Sequence, residues 1–133
     1  MAFLELCGWI ETTLDEIYLS IGKTKLEKEL IERHIYNCYS FNQKNFKSCL
    51  KFCLGEIKYN ELKQFYNVSG KTSSLKDFLN KLDKLTDVRN EYAHTSYEVG
   101  VLQSGQLGLN DIQKDFLFLL RQLVNLYFDL NKI

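Results

Sequence analysis

Two-thirds of the way along the chain, an arginine, an asparagine and a histidine fall within six positions, in Asp87-Val88-Arg89-Asn90-Glu91-Tyr92-Ala93-His94. The guanidinium of Arg89 offers a rigid fork of donors that fits phosphate. The imidazole of His94 can take or give a proton near neutral pH. The amide of Asn90 can orient either group or a sugar hydroxyl. Together they suit cleavage of a phosphodiester without a metal ion. A plainer reading makes Arg89 a surface ion-pair residue and His94 a cation at a helix C-terminus. On an uninterrupted helix, positions 89 and 94 sit about 140° apart, so they are not a same-face pair. Either the helix distorts at its end, or the residues meet around a site completed by a second chain.

A second group lies earlier. His34 and Cys38 are four apart, as are Cys49 and Cys53. Folding the chain as a hairpin centred between Gln43 and Lys44 sets Cys38 opposite Cys49 and His34 opposite Cys53. These are chemically a Cys₃His zinc set. Yet all four lie within apolar stripes, and cysteine is commonly buried as a small hydrophobe. Buried thiols are the first expectation, and no metal or cofactor is assigned.

The elements that must position these groups read as helices. Phe3, Leu6, Cys7, Ile10, Leu14, Ile17, Tyr18 and Ile21 recur at three- and four-residue spacing, as on one helix face, and Gly22 offers a left-handed stop. Thr24-Lys25-Leu26-Glu27 fits a capping box before a stripe of Leu26, Leu30, Ile31, Ile35 and Cys38. Two shorter pieces follow, one ending before Gly55 and one near Ser69-Gly70. A strong helix starts at Ser73 or Ser74 with Leu75, Phe78, Leu79, Leu82, Leu85 and Val88 on its stripe. Residues 95–110 hold Gly100, Gly105 and Gly108 and read as a loop. A last helix from Asn110 or Asp111 to about Asn131 is apolar around most of its circumference, which fits a central or partner-shared helix. The expectation is a single all-α domain over residues 1–133, an antiparallel bundle of four to five helices.

Composition agrees. The chain has 133 residues, no proline, and 17 acids against 17 Lys and Arg, so a polybasic protein is excluded while a local basic patch is not. Residues 1–32 carry seven acids and three lysines, whereas residues 42–85 carry nine lysines and four acids. Lys81 and Lys84, on the helix that delivers Arg89, are the candidate cations for a phosphate-bearing polyanion, though lysines also line ordinary solvated faces. The start has no basic n-region, and the longest apolar run, Phe116 to Leu120, has five residues against about 18 for a membrane span. A cytoplasmic protein without membrane contact is expected. No P-loop, Gly-x-Gly-x-x-Gly or Gly-x-Ser-x-Gly occurs, so those nucleotide and esterase chemistries lack their residues.

Arg89, Asn90, four intervening residues in all and His94, at the end of a late helix in a small helical protein, resemble the HEPN superfamily. Its signature is an arginine, four to six residues and a histidine. The resemblance implies a metal-independent endoribonuclease working as a homodimer, with two motifs facing each other. By that implication His94 moves a proton at the ribose 2′-oxygen or the 5′-oxygen leaving group, Arg89 stabilises the charged transition state, and Asn90 positions groups. The products would be 2′,3′-cyclic phosphate and 5′-OH ends. Toxin–antitoxin, antiviral defence and similar systems, with an antitoxin or defence-system protein as partner, are the implied settings. One branch carries a tyrosine two residues after the histidine; here Ser96 holds that place and Tyr97 follows. The other class of function is a non-catalytic module of the same fold that binds RNA or a protein.

Overall fold

The computed structural model describes residues 3–38, 40–94 and 109–132. They form six helices and no strand: α1 (Phe3–Ile21), α2 (Lys25–Tyr36), α3 (Gln43–Leu54), α4 (Glu56–Val68), α5 (Thr72–His94) and α6 (Leu109–Leu130). The all-α class is as expected. The count is six rather than four or five, because the two short middle pieces are separate full helices. The predicted loop lies, over residues 95–108, outside the described residues.

Helix α1 packs on α2, α3, α5 and α6, α3 also packs on α2 and α5, and α4 packs on α3 and α5. The periodicity explains why. The α1 stripe from Phe3 to Tyr18 is buried, and Leu6, Ile10 and Leu14 meet Leu82 and Leu85 of α5 and Leu119 of α6 in one core. Burying each such side chain contributes roughly 1.5–3 kcal/mol. Helix α2 differs, since Ile31 is its only buried residue.

The caps are local chemistry. Thr24 accepts from the Glu27 amide, and the Glu27 carboxylate accepts from the amides of Lys23 and Thr24, which is the predicted capping box. Those two amides hold the Glu27 carboxyl below its usual range. Asn42 caps α3 through the Asn45 amide. Gly22 is a correction: positive φ occurs only at Gly55 and Gly70 among the described residues, so Gly22 is no left-handed stop. A Cβ there would lie 3.0 Å from Lys28 Cγ and 3.1 Å from Ile31 Cδ1. The glycine instead lets α2 close on the end of α1. Helix α5 starts at Thr72, ahead of the start expected at Ser73 or Ser74.

Two ion pairs join α5 and α6. Lys71, just before α5, meets Asp129 at 3.2 Å, and Lys81 meets Asp115 at 3.0 Å. The lysine numbers rise as the aspartate numbers fall, so these two helices run antiparallel. Both aspartates sit on the buried stripe of α6 with Leu119, Leu123 and Leu126. No helix among the described residues is long and apolar enough to cross a membrane.

Candidate functional site

Helix α5 delivers the motif without a break. It remains α-helical through Arg89 and Asn90 to His94, so the distortion that could bring positions 89 and 94 together on one chain does not occur. Along the axis they are about 7.5 Å apart. Positions 90 and 94 fall one turn apart on a common face, and position 89 lies off that face. Asn90 is exposed. The His94 side chain lies outside the described residues.

Arg89 is engaged within the chain. Its guanidinium pairs with the Glu11 carboxylate of α1 and lies 4.9 Å from the centre of the Phe41 ring. Phe41 is buried, and the Arg89 side chain keeps 21% of its surface exposed. The ring face attracts the cation, by about 0.5–1 kcal/mol at an exposed site and more as water leaves. Arg89 also reaches the Cys7 region of α1: burial pushes that thiol up to about 11, and the guanidinium pulls it slightly back. Cys7 is therefore a protonated, weakly nucleophilic thiol at neutral pH.

The two lysines separate. Lys84 is exposed, whereas Lys81 is half-buried and committed to Asp115 on α6. The spacing that put both on one face could not reveal the acid waiting 34 residues later for one of them.

The hairpin of α2 and α3 brings its soft ligands together in part. Cys38 Sγ and Cys49 Sγ are 3.7 Å apart, and both are free thiols. One ligand atom each from His34, Cys38 and Cys49 lies within 4.8 Å of the other two. Cys53 does not complete the set. It lines a different cavity, of about 660 Å³, with Ser20, Leu30 and Tyr127, which none of the described side chains of the α5 motif lines. Opposite His34 stand Ser48, whose Oγ is 3.1 Å from Nε2, and Phe52, whose ring stacks at 4.3 Å and 9°. Burial raises Cys49 well above the usual thiol range, reinforced by the contact with Cys38, and burial pushes Cys53 up to about 12. A second cavity of about 310 Å³ reaches from Glu11 and Phe41, the partners of Arg89, to Cys38 and Cys49, with Asp15 between them in sequence.

Glu11, Phe41, Ser48 and Asp115 are the residues that motif reasoning missed. Each acts across a tertiary contact, and none has a local sequence signal. Comparison with protein-family models, with curated proteins and with solved structures returns no match to this chain.

Proposed function

We propose that the protein is a metal-independent endoribonuclease of HEPN type, acting as a homodimer on RNA to leave 2′,3′-cyclic phosphate and 5′-OH ends. The observation that carries this reading is the unbroken α5. Positions 89 and 94 fall on different faces of one continuous helix, so a site that uses both draws them from two chains. Helix α6 supports a dimer. Its outer side presents Leu117, Leu120, Val124, Tyr127 and Phe128, with Leu117 59% and Phe128 58% exposed. That stripe has the three- and four-residue spacing of a packing face, and α6 is the neighbour of α5. In this reading His94 transfers the proton, Arg89 steadies the phosphorane charge, Asn90 positions the ribose, and Lys84 draws the RNA backbone. Lys81, also a candidate RNA contact, serves first as the tie to α6. A cytoplasmic toxin or defence effector, with an antitoxin or defence-system protein as partner, fits the same reading.

One observation favours a non-catalytic regulatory module instead: Arg89 is already paired with Glu11. A mixing experiment separates the two. Arg89→Ala and His94→Ala chains are each expected to be inactive on RNA and normally helical. Mixed, they are expected to regain a measurable part of the wild-type cleavage, because half-sites from opposite chains recombine. Wild-type cleavage is expected to persist in EDTA. A mixture as inactive as its parents, or cleavage that needs added Mg²⁺, rejects the composite site.

A further inference from the structure

The cysteine–histidine cluster stands apart from the α5 motif and has geometry of its own. Two zinc–sulfur bonds of about 2.3 Å at a tetrahedral angle place their sulfurs about 3.8 Å apart. Cys38 and Cys49 sit at 3.7 Å. That spacing alone also suits two thiols in contact. The third group decides. An imidazole is drawn within 4.8 Å of both sulfurs, and its plane is fixed on both sides of the question: Phe52 stacks on the ring and Ser48 engages Nε2. A metal-binding histidine commonly has its other nitrogen held by such a partner, which sets the ring orientation.

We infer that His34, Cys38 and Cys49 form a Zn²⁺ site with three protein ligands, whose fourth tetrahedral position opens to water in the adjoining cavity. Two thiolates and an imidazole are soft and borderline donors, the set that suits zinc or copper(I) and not magnesium or calcium. Charge selects the divalent ion. Binding Zn²⁺ displaces one proton from each thiol to solvent, so two neutral thiols become two thiolates whose charges the ion cancels. The half-buried cluster is then neutral before and after, whereas copper(I) would leave it with a net negative charge in a place costly for one. Ser48 holds Nε2, so Nδ1 is the ligating nitrogen, and Ser48 is a positioning residue. The ion would join α2 to α3. It would do so where apolar packing is weakest, since Ile31 is all that α2 buries, and the ligands come from its last turn, the residue after its cap, and the middle of α3.

The test uses the full chain purified in reducing buffer, stripped with chelator, then dialysed against Zn²⁺ or Co²⁺. One ion per chain is expected, with a thiolate-to-cobalt charge-transfer band and a higher melting temperature in Zn²⁺. His34→Ala and Cys38→Ser should lose all three signals, and Cys53→Ser should keep them. Ser48→Ala alters an exposed residue that touches the site only through His34, so it should fold normally and weaken binding about 10–100-fold. Any of three results overturns the proposal: no stoichiometric ion, an ion retained by both His34→Ala and Cys38→Ser, or a Cys38–Cys49 disulfide in place of the metal.

Discussion

The end of α5 and the turn between α2 and α3 each hold a histidine near polar or soft neighbours, and they solve the problem of convergence in opposite ways. At α5 the three motif residues are close in sequence, yet a continuous helix sets Arg89 off the face that positions 90 and 94 share. At the α2–α3 turn the ligands come from segments up to fifteen residues apart and converge to within 4.8 Å, because a helical hairpin folds one segment onto the other. Nearness in sequence on one helix is thus a poor guide to a shared site, and symmetry about a turn is a better one. In the proposed reading the first region is completed by a second chain, while the second draws on one chain alone.

The largest effect that could break this contrast is a swap of the two histidines' roles. His94→Ala is expected to lower RNA cleavage about 10²–10⁴-fold, as for loss of a positioned proton-transfer group, while leaving Zn²⁺ content unchanged. His34→Ala should do the reverse. Cleavage and metal assays on both variants check this, and a cleavage loss in His34→Ala comparable to that in His94→Ala would merge the two regions into one.

Next comes the seam that positions the motif. Lys71→Ala leaves Asp129, 2% exposed, without its closer cation. Removing one partner of a fully buried pair costs about 3–5 kcal/mol. Lys71 is itself 38% exposed and Lys132 still approaches Asp129 at 3.8 Å, so about 2 kcal/mol is expected by urea denaturation. Lys81→Glu should also destabilise, by setting a second carboxylate against Asp115. Lys84→Glu should stay within about 0.5 kcal/mol of wild type and instead reduce the salt dependence of RNA binding, by about 0.7 in slope for one lost single-strand contact.

The smallest effect is at the far end of α2. Thr24→Ala removes the cap and should cost about 1 kcal/mol. The capping contribution of Glu27 has a defined pH sense, because its carboxyl is held below the ordinary range by the amides it accepts from. It is present in full above the ordinary glutamate range and is lost as pH falls through the lowered value. A wild-type acid titration that steepens there, and a Glu27→Gln titration that does not, checks the sign.

Much of this was legible in the sequence for a physical reason. The stripes of α1 and α5 are long, so their period identifies each buried face, and the capping box is written in four adjacent letters. The Cys38–Cys49 approach was also legible, since the pair is symmetric about the turn. The His34–Cys53 pairing was not: α2 stops at Tyr36, the chain leaves helical geometry before α3, and the register shifts to put Ser48 and Phe52 there. Gly22 misled because one letter serves both a left-handed turn and a close approach. Glu11 and Asp115 were invisible as partners, being acids on amphipathic helices far from the cations they meet.

The junction of α3 and α4 has a consequence for how this chain can change length. One residue, Gly55, is both the end of one helix and the start of the next, at φ 82° and ψ 164°. That backbone region is essentially closed to other residues, although a side chain there would meet nothing within 4 Å. An inserted residue would turn all of α4 by about 100° relative to α3 and carry Tyr59, Leu62 and Tyr66 out of the core they now fill. Lengthening by whole helical turns or not at all is therefore the rule at this joint, and natural variants of this fold are expected to carry their insertions elsewhere.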